Sequence, residues 1–188
     1  MITQKLKQPY EKHVLTKDEA YRLIRTADNQ RDRALLFCLY ESGCRAGEIL
    51  GLRIKDVTIK QTMAEIRVNG KTGPRPIPLI ESVSDLQLWL SMHPYADNPE
   101  YSMWPVNRKS SKGMKYSTLF WQVCKAASEA GLPKGISPHS LRHASATHKS
   151  EMLNESQLRL YYGWERFKDA EQIRSSRREE SQNSVAKI

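Results

Sequence analysis

Two residues at one helix start have side chains that could act together on a phosphate group. His139 and Arg142 stand three residues apart, directly after Ser137 and Pro138. A serine N-cap and a proline in the first turn are typical of a helix start, so the histidine and the arginine should share one helical face. A guanidinium binds phosphate oxygens, and an imidazole can transfer protons near neutral pH. The spacing therefore favours phosphate chemistry, provided that other cations join the pair.

The same helix start leaves other interpretations open. His139 and His143 have the spacing of a zinc pair, but Ser140 stands where a zinc protease carries glutamate, and no third ligand is evident. Ser140 also lacks the Gly-x-Ser-x-Gly elbow of a serine hydrolase. For the pair alone, a structural role stays open, with His139 capping a helical turn and Arg142 in a surface salt bridge. We expect no metal and no cofactor.

Two further cations stand at turns that could bring them to such a site. Arg45 begins a short helix, and Glu48 three residues later can hold its guanidinium in place. Lys71 follows Asn69-Gly70 at the tip of a predicted hairpin, where a side chain can project into a groove. With the histidine and arginine above, these residues form a cationic set suited to a pentacoordinate phosphorane, in which charge grows on the non-bridging oxygens while the leaving oxygen takes a proton.

The elements that must position these residues are mainly helical. Thr16 and Glu19 form a capping box for the first helix. Apolar spacing and stop signals predict helices over 17–27, 32–42, 46–52, 81–92, 116–130, from 138 onward, 155–162 and 164–178. A period of two from Val57 to Leu79 predicts three short strands, with Asn69-Gly70 as a tight turn and a proline-bearing edge strand. The fold class is α+β, mainly α: a helical bundle with a small three-stranded antiparallel sheet.

Composition limits the class of protein. Among 188 residues, 30 Lys and Arg against 21 Asp and Glu give a net charge of +9, which favours a polyanionic partner. Residues 108–115 carry four cations and no acid, which fits either a solvated loop or a phosphate-contacting arm. Three scattered cysteines without zinc-ligand spacing indicate a reducing compartment. No apolar run approaches the roughly 20 residues of a membrane span, so we expect a cytoplasmic protein with no membrane partner.

Three blocks of the sequence resemble the signature blocks of the tyrosine recombinases, the phage-integrase family. They are ESGCRAGEILGL from Glu41, NGKTGPRPIPL from Asn69 and SPHSLRH from Ser137. The blocks occur in the family's order, and the resemblance covers residues 15–164. It implies a tyrosine-recombinase catalytic fold that closes around double-stranded DNA, acts as a homo-oligomer, typically a tetramer on DNA, and uses neither metal nor nucleotide.

The resemblance also implies roles by position. Arg45 and Arg142 would grip the scissile phosphate, and Lys71 would be the general acid for the 5′-hydroxyl leaving group. His139 would assist proton transfer. Trp164 would donate its indole N–H to the phosphate, with helix packing as the alternative role. Apart from the resemblance, we expect structural support from Glu48 and His143, and DNA contacts from Arg75, Arg108, Lys109, Lys112 and Lys115.

The sequence departs from the family pattern at the nucleophile. The family's tyrosine would fall at Ile173 or Arg174, and no tyrosine follows Tyr162. Neither an isoleucine nor an arginine can form a phosphotyrosine bond. Tyr161 or Tyr162 is a fallback, although both precede Gly163, where the family keeps packing residues. Divergence of the last segment, a tyrosine supplied in trans by a partner subunit, and binding without cleavage also stay open.

We expect three segments along the chain. Residues 1–14 form a linker or an N-terminal stump, 15–178 a catalytic domain and 179–188 a flexible tail. Family members usually have a DNA-binding domain before the first of these helices, and residues 1–14 are too short to be one. Two hypotheses follow: a site-specific recombinase or integrase catalytic domain, or a cleavage-deficient DNA-binding regulator or accessory subunit on the same fold.

Overall fold

The computed structural model describes residues 13–70 and 73–163. In these ranges the helices are α1 (Lys17–Arg25), α2 (Gln30–Ser42), α3 (Ala46–Leu50), α4 (Val83–Ser91), α5 (Tyr116–Glu129), α6 (Pro138–Lys149) and α7 (Glu155–Tyr162). The strands are β1 (Val57–Ile59), β2 (Ala64–Gly70), β3 (Gly73–Leu79), β4 (Pro105–Asn107) and β5 (Ser110–Gly113). Where helix ends differ from the predicted ones, the difference is at most two residues, while the predicted helix over 164–178 lies outside the described residues. None of the helices described has the length and apolar character needed to cross a membrane.

Helix α2 forms the centre of the core. Every residue from Ala34 to Ser42 is buried, and α4 and α6 pack against the helix. Gly43 ends it in the left-handed conformation, with a φ of 55°. A Cβ at Gly43 would also collide with the ring of Tyr162, so the glycine lets the end of α7 approach the end of α2.

A buried carboxylate fixes where α4 begins. The Glu41 carboxylate accepts hydrogen bonds from the backbone N–H groups of Ile80 (2.5 Å), Glu81 (2.9 Å) and Ser82 (2.8 Å) and from the Ser82 hydroxyl (2.6 Å). These bonds satisfy donors that a helix start leaves open. The helix therefore starts at Val83 rather than at the predicted Glu81.

The three-stranded sheet is antiparallel in the order β1-β2-β3, so the proline-bearing strand β3 lies at an edge as predicted. The predicted turn is wrong. Asn69 and Gly70 belong to β2, because the strands pair as far as Gly70 opposite Gly73. Gly73 has the positive φ, 95°, whereas a Cβ at Gly70 would collide with Glu48 Oε1. Gly70 is thus required for close packing rather than for a left-handed turn.

A second, two-stranded sheet, which the sequence did not predict, lies between α4 and α5. Strands β4 and β5 pair in antiparallel fashion. Trp104, just before β4, is fully buried and donates its indole N–H to the carbonyl of Ile49 at 2.8 Å. The hairpin escaped prediction because β5, Ser110–Gly113, is short and polar and has no alternating apolar pattern.

Candidate active site

Arg45 is held at the start of α3 by the glutamate three residues later. Its backbone N–H donates to Glu48 Oε2 at 2.8 Å, and its Nη1 donates to Glu48 Oε1 at 3.2 Å. The Arg45 side chain remains 39% exposed. The guanidinium is therefore fixed at its base while part of it stays open to a ligand.

Arg142 lies on α6 and is buried. Its guanidinium donates to the carbonyl oxygens of Gly43 and, at 3.3 Å, of Tyr162. It also lies 5.4 Å from the centre of the Tyr162 ring. Burial, together with the charge of Arg45, lowers the pKa of Arg142. These interactions contradict the alternative of a surface salt bridge.

The two arginines meet where α2 and α7 end. Arg142 binds the last carbonyl of α7, at Tyr162, and Arg45 Nη2 lies 3.5 Å from the next one, at Gly163. The mutual repulsion of the guanidiniums is offset by these carbonyls and by Glu48. An anion beside them would be stabilised by both charges.

Of the other residues predicted for the pocket, the structure describes only the two histidines. His139 lies one turn before Arg142 on α6 and is exposed, whereas His143 is half-buried. Lys71 and Trp164, together with positions 173 and 174, lie outside the described residues.

Arg75, predicted as a DNA contact, binds groups of the protein. Its Nη1 and Nη2 donate to the two oxygens of Glu48 at 3.1 and 3.0 Å, and its Nε donates to the Tyr161 carbonyl at 3.2 Å. Burial raises the pKa of Glu48, but hydrogen bonds from Arg75 and the Arg45 backbone outweigh it and hold that pKa below its ordinary value. Glu48 is therefore an anion shared by two arginines.

The two fallback nucleophiles face the protein interior. Tyr162 is fully buried, and its hydroxyl lies 2.9 Å from Ser145 Oγ. The Tyr161 hydroxyl donates to the carbonyl of Glu41 at 3.2 Å, and Lys149 Nζ lies 5.3 Å from its ring centre. Burial raises the pKa of both phenols. This geometry argues against either hydroxyl as an attacking group.

The basic run over 108–115, which fits either a solvated loop or a phosphate-contacting arm, lies in the β4–β5 hairpin and the two residues before α5. Its four cations, Arg108, Lys109, Lys112 and Lys115, are all exposed. Among the residues described, the structure records no acidic partner within ion-pair distance of these cations. The hairpin is thus an exposed basic surface.

Residues 13–173 match the phage integrase family. The chain belongs to this family. It is 32% identical to tyrosine recombinase XerA of Pyrococcus horikoshii over 139 residues, which cover 73% of this chain and 47% of that protein. It is 33% identical to XerD of Pseudomonas putida over 130 residues, which cover 65% of this chain and 41% of that protein. The chain thus spans less than half the length of these two relatives.

Solved structures of other phage-integrase members share the fold. A crystal structure of XerA recombinase superposes with a TM-score of 0.75 at 27% identity, over 86% of this chain and 59% of that chain. XerH bound to a palindromic difH substrate, a post-cleavage complex, gives 0.74 at 21% identity over 92% and 52%. At 21% identity, the similarity to XerH shows a shared fold and nothing more. The predicted tyrosine-recombinase fold is confirmed.

Arg75 and Glu41 make contacts in the structure that the sequence did not predict. Arg75 was expected on the DNA surface, because a sequence does not reveal which cation pairs with which anion. Glu41 received no role, although a carboxylate inside the apolar stripe of α2 is a signal of a buried anchor. The bonds from Ile80, Glu81 and Ser82 to its carboxylate make Glu41 such an anchor.

Proposed function

We propose that this chain is the catalytic domain of a site-specific recombinase or integrase, which breaks and rejoins DNA by transesterification at a backbone phosphate. The observation that carries the proposal is the meeting of Arg45 and Arg142 beside Gly163. Two guanidiniums, one partly exposed and one buried, are suited to a phosphate whose negative charge grows in the transition state. The relatives named tyrosine recombinases support the same reaction.

In the proposed reaction, a hydroxyl attacks the phosphorus, the bond to the 5′-oxygen breaks, and that oxygen takes up a proton. Arg45 and Arg142 hold the non-bridging oxygens. Lys71 gives a proton to the leaving oxygen, and His139 assists by taking up the proton that the attacking hydroxyl loses. Trp164, the next residue after Gly163, donates its indole N–H to the phosphate. Rejoining is the reverse reaction, so no external energy source is required.

The attacking hydroxyl belongs to neither Tyr161 nor Tyr162 in this proposal, because both are hydrogen-bonded inside the protein. A partner subunit of different sequence would supply a tyrosine in trans, because a second copy of this chain carries the same Ile173 and Arg174. A second candidate function is favoured by the sequence itself, since Ile173 and Arg174 occupy the expected positions of the nucleophile. It is a cleavage-deficient DNA-binding regulator or accessory subunit built on the same fold.

A gain-of-function experiment separates the two candidates. The variants Ile173→Tyr and Arg174→Tyr are each incubated with a pool of nicked suicide duplexes of randomised sequence. A catalytic pocket predicts a covalent adduct, resistant to denaturant, in at least one variant. Adding Arg45→Ala should lower its yield by about 100-fold or more, the cost of removing one transition-state donor.

The unaltered chain and the binding measurement complete the experiment. An adduct mapped to Tyr161 or Tyr162 in the unaltered chain would contradict the argument from burial. Duplex binding without an adduct in either tyrosine variant would sink the catalytic proposal and leave the binding function.

The proposed partner is double-stranded DNA. Structural neighbours were solved bound to DNA. The exposed cations of the basic β4–β5 hairpin, which have no acidic partner among the described residues, are suited to a second set of phosphates. We extend the proposal to a homo-oligomer on DNA, typically a tetramer, to be measured by analytical ultracentrifugation with and without duplex.

The catalytic domain would span 15–178 between a linker and a tail, and the chain would act in the cytoplasm, where its DNA lies.

A further inference from the structure

Arg75 uses its whole guanidinium on groups of the protein. Both terminal nitrogens bind the two oxygens of Glu48, at 3.1 and 3.0 Å, and the Nε binds the Tyr161 carbonyl at 3.2 Å. The Arg75 side chain is only 13% exposed. A two-point contact of this kind fixes the direction of the carboxylate as well as its distance.

The carboxylate that Arg75 fixes is the one that holds Arg45. Glu48 Oε1 accepts from a terminal nitrogen of each arginine, and Oε2 accepts from Arg75 Nη2 and the backbone N–H of Arg45. The Glu48 side chain is 5% exposed. Its orientation therefore depends on Arg75, and the orientation of the Arg45 guanidinium depends on Glu48.

The same ion pair lies against the end of β2. A Cβ on Gly70 would collide with Glu48 Oε1 and would lie 2.8 Å from Arg75 Nη1. The last described residue before Lys71 thus packs directly on the pair. Only a glycine allows this approach without displacing the carboxylate.

We propose that Arg75 is a positioning residue for strand cleavage, which acts through Glu48 on Arg45. The inference rests on the proposed function, because it concerns how the phosphate clamp is held in place. One buried ion pair sets the direction of the Arg45 guanidinium. The bond from Arg75 to Tyr161 joins the same pair to the end of α7, two residues before Gly163.

The kinetic test uses whichever tyrosine variant, Ile173→Tyr or Arg174→Tyr, forms the covalent adduct. Arg75→Gln is added to it, and adduct formation is followed in single turnovers over a range of concentrations of the nicked duplex pool. The maximal rate should fall by about 30-fold, with less than about a threefold change in the half-saturating concentration, because Arg75 contributes to alignment rather than to binding. Gly70→Ala should give the same pattern.

A matched control and a second readout keep the test decisive. Arg53→Gln removes the same side chain from an exposed pair with Glu100 and should change neither constant by more than about twofold. Without DNA, the Nε–H resonance of Arg45 in nitrogen-15 NMR should shift in Arg75→Lys, which keeps the charge but loses the two-point contact.

The outcomes separate the two proposals. If neither Ile173→Tyr nor Arg174→Tyr forms an adduct, the proposed function is contradicted. The Arg45 resonance then still tests whether Arg75 positions Arg45. A normal maximal rate in a folded Arg75→Gln protein, or an unchanged Arg45 resonance in Arg75→Lys, overturns the positioning role.

Discussion

Among the described residues, Glu48 and Glu100 each bind two cations, and of this pair only Glu48 is buried enough to hold a functional group in place. Glu48 binds Arg45 and Arg75 with its side chain 5% exposed. Glu100 binds Arg53 at 2.6 Å and Lys55 at 2.7 Å with its side chain 54% exposed. The contacts of Glu100 are the shorter ones, yet water surrounds them.

The difference shows that burial, rather than distance, determines what an ion pair does. Around Glu100, solvent screens the charges, and long side chains lose entropy to keep one geometry, so the pair contributes little. Around Glu48, each charge has left water, and a missing partner would leave an uncompensated charge inside the protein. The buried cluster is therefore fixed in one arrangement, which a phosphate clamp requires.

The largest expected effect is on stability when each glutamate is neutralised. Glu48→Gln should lower the free energy of unfolding by about 3 kcal/mol, because Arg75 keeps its charge but loses its anion. Glu100→Gln should leave the midpoint of urea unfolding at the wild-type value. Circular dichroism in urea measures both. Equal midpoints in the two variants would show that burial does not distinguish the clusters.

Much of the site could be predicted from local sequence. The Ser137-Pro138 helix start sets His139 and Arg142 one turn apart, and the three-residue spacing of Arg45 and Glu48 gives their contact, because both are properties of a single helical turn. The expectation that Arg45 and Arg142 grip one phosphate came from the family resemblance rather than from spacing within either helix.

What could not be predicted depends on contacts between distant segments. The role of Arg75 requires knowing that β3 lies beside Glu48, 27 residues earlier in the chain. The Asn69-Gly70 signal pointed to a turn, but the carboxylate packed against Gly70 gives the glycine a different purpose. The preference of a short segment such as Asn69-Gly70 for a turn is overridden where packing must satisfy a buried charge.

A smaller effect is expected when the two carboxylates are titrated. Burial raises the pKa of Glu48, but the hydrogen bonds from Arg75 and the Arg45 backbone lower it by more than burial raises it. The pKa in the folded protein therefore lies below the ordinary value of 4.5. The unfolded chain then binds more protons, and the stabilisation is complete above that value and is lost as the pH falls through the folded pKa.

This titration gives the second prediction. Between about pH 5 and about pH 3, the unfolding free energy of the wild type should fall more steeply than that of Glu48→Gln. Hydrogen bonds from Lys55 and Arg53 also lower the pKa of Glu100, so Glu100→Gln is the matched control. In about 0.5 M salt the difference due to Glu100 should vanish and that due to Glu48 should persist, since exposed charges are screened. Loss of both differences in salt would count against a buried Glu48 pair.

The smallest expected effect concerns cations that bind no carboxylate. Lys112 on the β4–β5 hairpin is exposed and has no acidic partner among the described residues, whereas Arg53 is bound to Glu100. Binding of a random-sequence duplex is measured by fluorescence anisotropy between about 50 and 200 mM salt. Lys112→Ala should reduce the slope of log affinity against log salt by about one unit, because one phosphate contact releases about one counterion. Arg53→Ala should change the slope less, because Glu100 already neutralises much of that charge. Equal slopes in the two variants would show that a cation paired with a carboxylate contributes to DNA binding as much as an unpaired one. The β4–β5 hairpin would then contribute no more to DNA binding than other surface cations.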